Sequence, residues 1–332
     1  MEGMLRTNPL CSLLFASVFS TALFSGETPS TVVAAGYRMP TPVTVAPGQV
    51  ITFFVHGICA GLMEPIRAQT NPLPTSLAGI TVTLKQFNPD RPLPILAIEP
   101  VSPCADPAQT GCGAYAAITV QLPFEMQAED PTNPRGVPVG SAQLVFSEQG
   151  AVASKIDLIS VVDQVHLLRT CDILYAKRDG ACRAVAAHAD GSLVSAEHPA
   201  RAGEEIVLYA FGLGSTMPNP MTGGAAAAPL PTLRSFTISF DPRQNALASR
   251  PQMGKPPTAA AAFIGLTPKY VGLYQINVIV PDLPSDALPC YPASRFNAIQ
   301  IDSNLTINVG GPASFDGIGI CVQPPEPSVT QP

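Results

Sequence analysis

The chain has 332 residues, enough for about two domains. It is 46% hydrophobic and only 13% charged, against roughly 25% charged in an average globular chain, which excludes an intrinsically disordered protein. Its 37 prolines and 26 glycines argue against helical bundles and long α/β crossovers, and its net charge of −6 gives no electrostatic reason to bind nucleic acid or an anionic membrane surface.

The N-terminus carries Arg6 and then an uncharged run from Leu10 to Phe24, 15 residues long. That is short of the about 20 residues of a membrane span and matches a signal-peptide core. Small-residue exits follow near Ser25-Gly26 and at Val33-Ala34-Ala35. The expected leader is therefore residues 1–26, with cleavage as late as 35, and the product is secreted or periplasmic and not membrane-spanning once cut. Cys11 precedes the apolar run, a poor position for a lipid acceptor.

Beyond the leader, short apolar runs of period two alternate with Pro- and Gly-containing loops, which predicts strands. They are 50–55, 80–85, 117–122 and 142–146, then 206–210, 236–240, 274–280 and 305–309. Between them, 65–76, 100–112 and 241–258 read as loop insertions, and 223–229 as a small low-complexity bridge. Two segments repeat. Pro47-Gly-Gln-Val-Ile-Thr-Phe-Phe-Val-His-Gly57 lies over Ala202-Gly-Glu-Glu-Ile-Val-Leu-Tyr-Ala-Phe-Gly212 at an offset of 155, and Ile118 to Pro123 lies over Ile276 to Pro281 at 158. Two segments at nearly one offset predict tandem copies of one β-sandwich, spanning 37–165 and 166–322, with a Pro-rich tail at 323–332.

Seven cysteines follow the leader. Cys104 with Cys112, Cys171 with Cys182, and Cys290 with Cys321 are candidate disulfides, and Cys59 is left over. Connectivity cannot be deduced from spacing alone. Asp179-Gly180 is a turn signal that could return Cys171 and Cys182 side by side. The absence of a C-x₂-C pair, and of His at ligand spacing from Cys, argues against a zinc site.

Three ordered motifs of the second copy carry a family resemblance. They are His188-Ala-Asp-Gly-Ser to Ala202-Gly-Glu204, Ile206-Val-Leu-Tyr-Ala-Phe-Gly-Leu-Gly214, and Gly265-Leu-Thr-Pro-Lys-Tyr-Val-Gly-Leu-Tyr-Gln-Ile-Asn-Val278. Residues 166–322 resemble the uncharacterised C-terminal domain of many secreted acidobacterial proteins, the Solibacter C-terminal domain. The resemblance implies an all-β chain of immunoglobulin-like, IPT/TIG-type sandwiches. It implies no catalytic residue, metal or cofactor.

Residue by residue, the chemistry is sparse. Gly212-Leu-Gly-Ser-Thr216 has the wrong spacing for a nucleophile elbow and reads as a post-strand turn. Asp190-Gly191 is a tight turn lacking further calcium ligands. His188 and His198 flank it with no nucleophile beside them. Glu204-Glu205 reads as a solvated strand start, and Asn304-Leu-Thr306 is a sequon by pattern only. Tyr209 and Tyr274 lie on apolar strands as core residues, whereas Tyr270, in a Gly-flanked loop, is the one open aromatic binding candidate. The expected function is a non-catalytic structural or adhesion-type module. The alternative is a module that binds carbohydrate or another surface polymer through Tyr270, with a cell-surface or extracellular polymer or protein as partner.

Overall fold

The computed structural model describes residues 31–36, 43–59, 62–86, 89–101, 115–133, 142–173, 181–250, 258–291 and 300–325. The 1–26 leader, the Cys104 and Cys112 pair, the Asp179-Gly180 turn and the tail beyond 325 lie outside the described residues. Within them the chain is all-β, with no helix, and its strands form four sheets.

Two sheets come from the first half. One runs in the order Thr31–Gly36, Val50–His56, Tyr115–Gln121, Ile95–Val101, Ile66–Arg67; the other in the order Thr44–Val45, Ala151–Ser160, Ala142–Glu148, Ile80–Lys85, Ser76–Leu77. Every second residue of each sheet points into one shared core. Ile51, Phe53 and Val55 meet Ile80, Val82, Leu84, Leu144 and Phe146 there. Phe53 and Phe146 close it edge to face, their ring centroids 5.5 Å apart.

The second half repeats the plan. Its first sheet has the order His166–Leu167, Glu205–Phe211, Tyr274–Ile279, Phe263–Leu266, Leu230–Pro231; its other sheet runs Thr258–Ala259, Thr237–Asp241, Leu305–Gly310, Phe315–Ile320. Ile206, Leu208, Tyr274, Ile276 and Val278 face Ile238, Phe240, Leu305, Ile307 and Val309 across the core. The registers agree with the sequence repeat. Phe53 pairs with Ile118, and Leu208 pairs with Ile276. The offsets of 155 and 158 carry the first pair onto the second.

The two halves differ in their outer faces. Glu205–Phe211 shows the alternation of a half-buried strand, whereas Val50–His56 is buried at every position from Val50 to Val55. Its outward side chains, Val50 and Phe54, are covered by the second half. Val50 packs with Leu168, Val185 and Phe211, and Phe54 with Ala117 and Ile173. The polar groups of this face are satisfied internally, as burial demands. Thr52 and Thr119 bond to each other at 2.8 Å, and Gln121 accepts from the backbone N–H of Gly223 at 2.6 Å while donating to the carbonyl of Gly48. The 223–229 stretch is thus part of the junction: the Gly223 carbonyl also accepts from Leu73 N–H at 2.8 Å. Gly212 and Gly214 let the connecting stretch pass, since a Cβ on either would lie 2.0 and 2.2 Å from the carbonyl oxygens of Gln164 and Val162, and both have positive φ.

Cys171 and Cys182 are joined, with Sγ atoms 2.05 Å and Cα atoms 4.6 Å apart, and Cys290 is joined to Cys321 with Cα atoms 5.8 Å apart. Cys59 is a buried thiol. The first bridge closes a loop of about a dozen residues, worth about 3 kcal/mol on the chain-entropy account. Ile173, two residues on from Cys171, is the side chain that this loop sets against Phe54.

Phe54→Ala should remove about 3 kcal/mol of stability, because the cavity opens at a face closed from both sides. Val152→Ala, 60% exposed, should cost under about 0.5 kcal/mol. Guanidinium unfolding of the two variants checks the contrast; equal losses would mean that the junction is not closed in solution.

Candidate functional site

A polar cavity of about 740 Å³ lies at the end of the second half remote from the junction. It forms where the Glu205–Phe211 strand begins, whereas the contacts with the first half are made where that strand ends. His188, Asp190, His198, Arg201, Glu204 and Gln323 line it. The sequence places His188 just after the Ala186–Ala187 strand, and the turn it opens reverses at once: Gly191 N–H donates to the His188 carbonyl and Ser192 N–H to Asp190 Oδ1. Gly191, at φ 85°, adopts the left-handed conformation this turn needs.

His188 is buried and holds three segments together. Its Nδ1 donates to Glu204 Oε1 at 2.6 Å and its Nε2 to the His198 carbonyl at 3.2 Å. Both ring nitrogens face acceptors, so the doubly protonated form satisfies both. Burial opposes that charge, but the Glu204 carboxylate and the His198 carbonyl outweigh it and hold the imidazole above its ordinary 6.5. Burial likewise penalises the Glu204 carboxylate, yet His188 and the N–H of Arg201 bring it below its ordinary 4.5. The His198 ring leans over His188 at a tilt of 36° with centroids 4.3 Å apart, and its Nδ1 lies 3.3 Å from Ser192 Oγ. Ser192 gives its proton to Asp190, at 2.6 Å. Both ring nitrogens of His188 are engaged by fixed acceptors, and the Ser192 hydroxyl is engaged by Asp190, so these side chains hold one another. The arrangement is a clasp.

The other candidates scatter. Glu205 points away from Glu204 and takes a bond from Asn277 at 2.8 Å. Ser215 lies in the turn after the strand, its carbonyl accepting from Leu233 N–H. Asn304 is 1% exposed; its side-chain nitrogen donates to the carbonyls of Leu288 and Val322 and its oxygen accepts from Val322 N–H, so the sequon is sealed. Tyr274 is fully buried with its hydroxyl donating to the Gly214 carbonyl, and burial pushes its phenol far up. Tyr209 is half-buried at the junction, its phenol raised by burial and by neighbouring Tyr270. Tyr270 is 59% exposed.

A second polar cluster has no local sequence signature. Asp172, fully buried, accepts from the N–H of Arg169 and from His166 Nε2, each at 2.8 Å, while its Oδ1 has no partner. Arg169 forks onto Asp316 at 3.0 and 3.1 Å, tying the Cys171–Cys182 loop to the Phe315–Ile320 strand. Its partners lie 147 positions apart in the chain, so only the fold brings them together. Among the described residues no group of three or more His, Cys, Asp or Glu side chains is arranged to hold a metal, and no helix is long and apolar enough to cross a membrane. The chain matches no known family model, and no curated protein matches it.

The clasp sets a pH dependence. The raised His188 contributes stability that is fully present below 6.5 and is lost as pH rises through its folded value; the lowered Glu204 contributes stability present above 4.5 and lost as pH falls through its own. The pair is therefore strongest between 4.5 and 6.5. His188→Gln should flatten the decline in melting temperature expected of the parent protein as pH rises above 6.5. Parallel pH–melting curves for the two proteins would refute the clasp.

Proposed function

We propose that the chain is an exported, non-catalytic structural or adhesion-type module of two tandem immunoglobulin-like, IPT/TIG-type sandwiches, the second akin to the Solibacter C-terminal domain. The observation that carries this reading is the junction: a sheet of the first half is buried on its outer face by the second, so the two sandwiches meet over a closed apolar contact and act as one stiff spacer. The clasp adds support, because its charged groups are committed to internal bonds. Two disulfides fit an oxidising compartment outside the cytoplasm. The three motifs of the second half support the kinship.

One observation favours a second reading. Tyr270 stands exposed beside half-buried Tyr209, a pair of phenols that could stack against a sugar ring of a cell-surface or extracellular polymer.

Expression of the full chain in a didermic bacterium, followed by fractionation, tests export. The protein should be recovered outside the cytoplasm with Cys171–Cys182 and Cys290–Cys321 bridged; a reduced chain confined to the cytosol would overturn the reading. A glycan array then separates the two functions. Retention that disappears in Tyr270→Ala would replace the spacer with the binding module.

A further inference from the structure

In the sequence, Val33-Ala34-Ala35 reads as a leader exit. In the fold the same residues are a strand. Thr31–Gly36 pairs antiparallel with Val50–His56, from Thr31 opposite His56 to Gly36 opposite Thr52, with one irregularity between Val32 and Ala34. It also lies against the Ala151–Ser160 strand of the facing sheet.

The second half indicates that this pairing is integral. The equivalent edge there, along Glu205–Phe211, is closed by two short strands: His166 and Leu167 lie opposite Phe211 and Ala210, and Ala186 and Ala187 opposite Leu208 and Val207. That covers 207–211, and the repeat offset of 155 carries 52–56 onto this stretch. Thr31 opposite His56 and His166 opposite Phe211 thus occupy matching ladder positions. The N-terminal strand does for the first half what 166–167 and 186–187 do for the second.

Cutting after Ala35 would remove five of its six residues. The outer N–H and C=O groups of residues 52–56 would then be left as an open strand edge, a template for pairing with another chain. We infer that the leader is cut upstream of Thr31, at the small residues near Ser25-Gly26, and that the new N-terminal segment is the structural edge strand of the first half. The step is hydrolysis by a leader peptidase: water adds across one peptide bond, leaving a carboxylate on the leader and an amine on the mature chain. The inference rests on the proposed export for its cleavage step and on the fold alone for the strand's role.

Two measurements test it. The exported protein is purified and its N-terminus read by intact mass and sequencing; a start between residues 26 and 31 is expected, and a start at 34, 35 or 36 overturns the inference. An intact Met1 would overturn export instead, and the second measurement would then decide. Two leaderless chains, one beginning at Gly26 and one at Gly36, are refolded under oxidising conditions. The shorter should melt about 5 °C lower or more and sediment partly as larger species. Equal melting temperatures with both chains monomeric would overturn the strand's role, whatever the fate of the leader.

Discussion

Burial of one strand pair on both faces is the constraint from which the molecule's organisation follows. Val50–His56 and Tyr115–Gln121 feed one core with Ile51, Phe53, Val55, Ile118 and Val120, while Val50, Phe54 and Ala117 are closed off by the second half. Water is excluded from both sides, so each polar group on the outer face must find a protein partner or incur the desolvation penalty. Thr52 finds Thr119 directly opposite, and Gln121 spans from Gly48 to Gly223. The Gly223 turn is thereby fixed to the first half, and Thr222 beside it accepts from the N–H of Phe124 at 3.3 Å. An apolar contact thus sets the junction, and a small set of hydrogen bonds sets its register.

All eight strands anticipated from period two are present, some alternating as a half-buried sheet requires and others, such as Leu305–Gly310, buried on both faces. Ile80-Thr-Val-Thr-Leu-Lys85 is the clearest, with its aliphatic side chains buried and its threonines partly open. The double burial of 50–55 was not anticipated: the run read as a period-two strand packing one face, and the second half covers the other. Other strands were hidden. Ile95–Val101 contains Pro100, and Ala151–Ser160 carries Lys155 and Asp157 on an exposed face. Thr31–Gly36 is built of small residues that resemble a leader exit. At the clasp, His188 and His198 stood out in sequence only as neighbours of a turn. The tie of His188 to Glu204 and to the His198 carbonyl depends on the strand that starts there, a placement no local pattern encodes.

Asp163 shares this non-local character. Asp163, fully buried just before the second half, accepts from the N–H groups of Ala313 and Ser314 and from the Ser314 hydroxyl. Burial outweighs these bonds and pushes its carboxyl up. Gly311 makes room, since a Cβ there would lie 2.4 Å from the carboxylate. Asp163 thereby fastens the connecting stretch to the 311–314 segment, whereas Asp172 braces the start of the disulfide loop on its near neighbours His166 and Arg169.

The matching ladder positions also locate the difference in length between the halves. From Thr31 to His166 the offset is 135, and from Gly57 to Gly212 it is 155, so the second half holds 20 more residues between its first two long-range pairings. That stretch supplies the Cys171–Cys182 loop, Ile173 at the junction, the Ala186–Ala187 strand and the His188 clasp. That one stretch therefore accounts for much of what distinguishes the second half from the first. Its two ends serve opposite poles, Ile173 meeting the first half at Phe54 and His188 lining the cavity where Glu205–Phe211 begins.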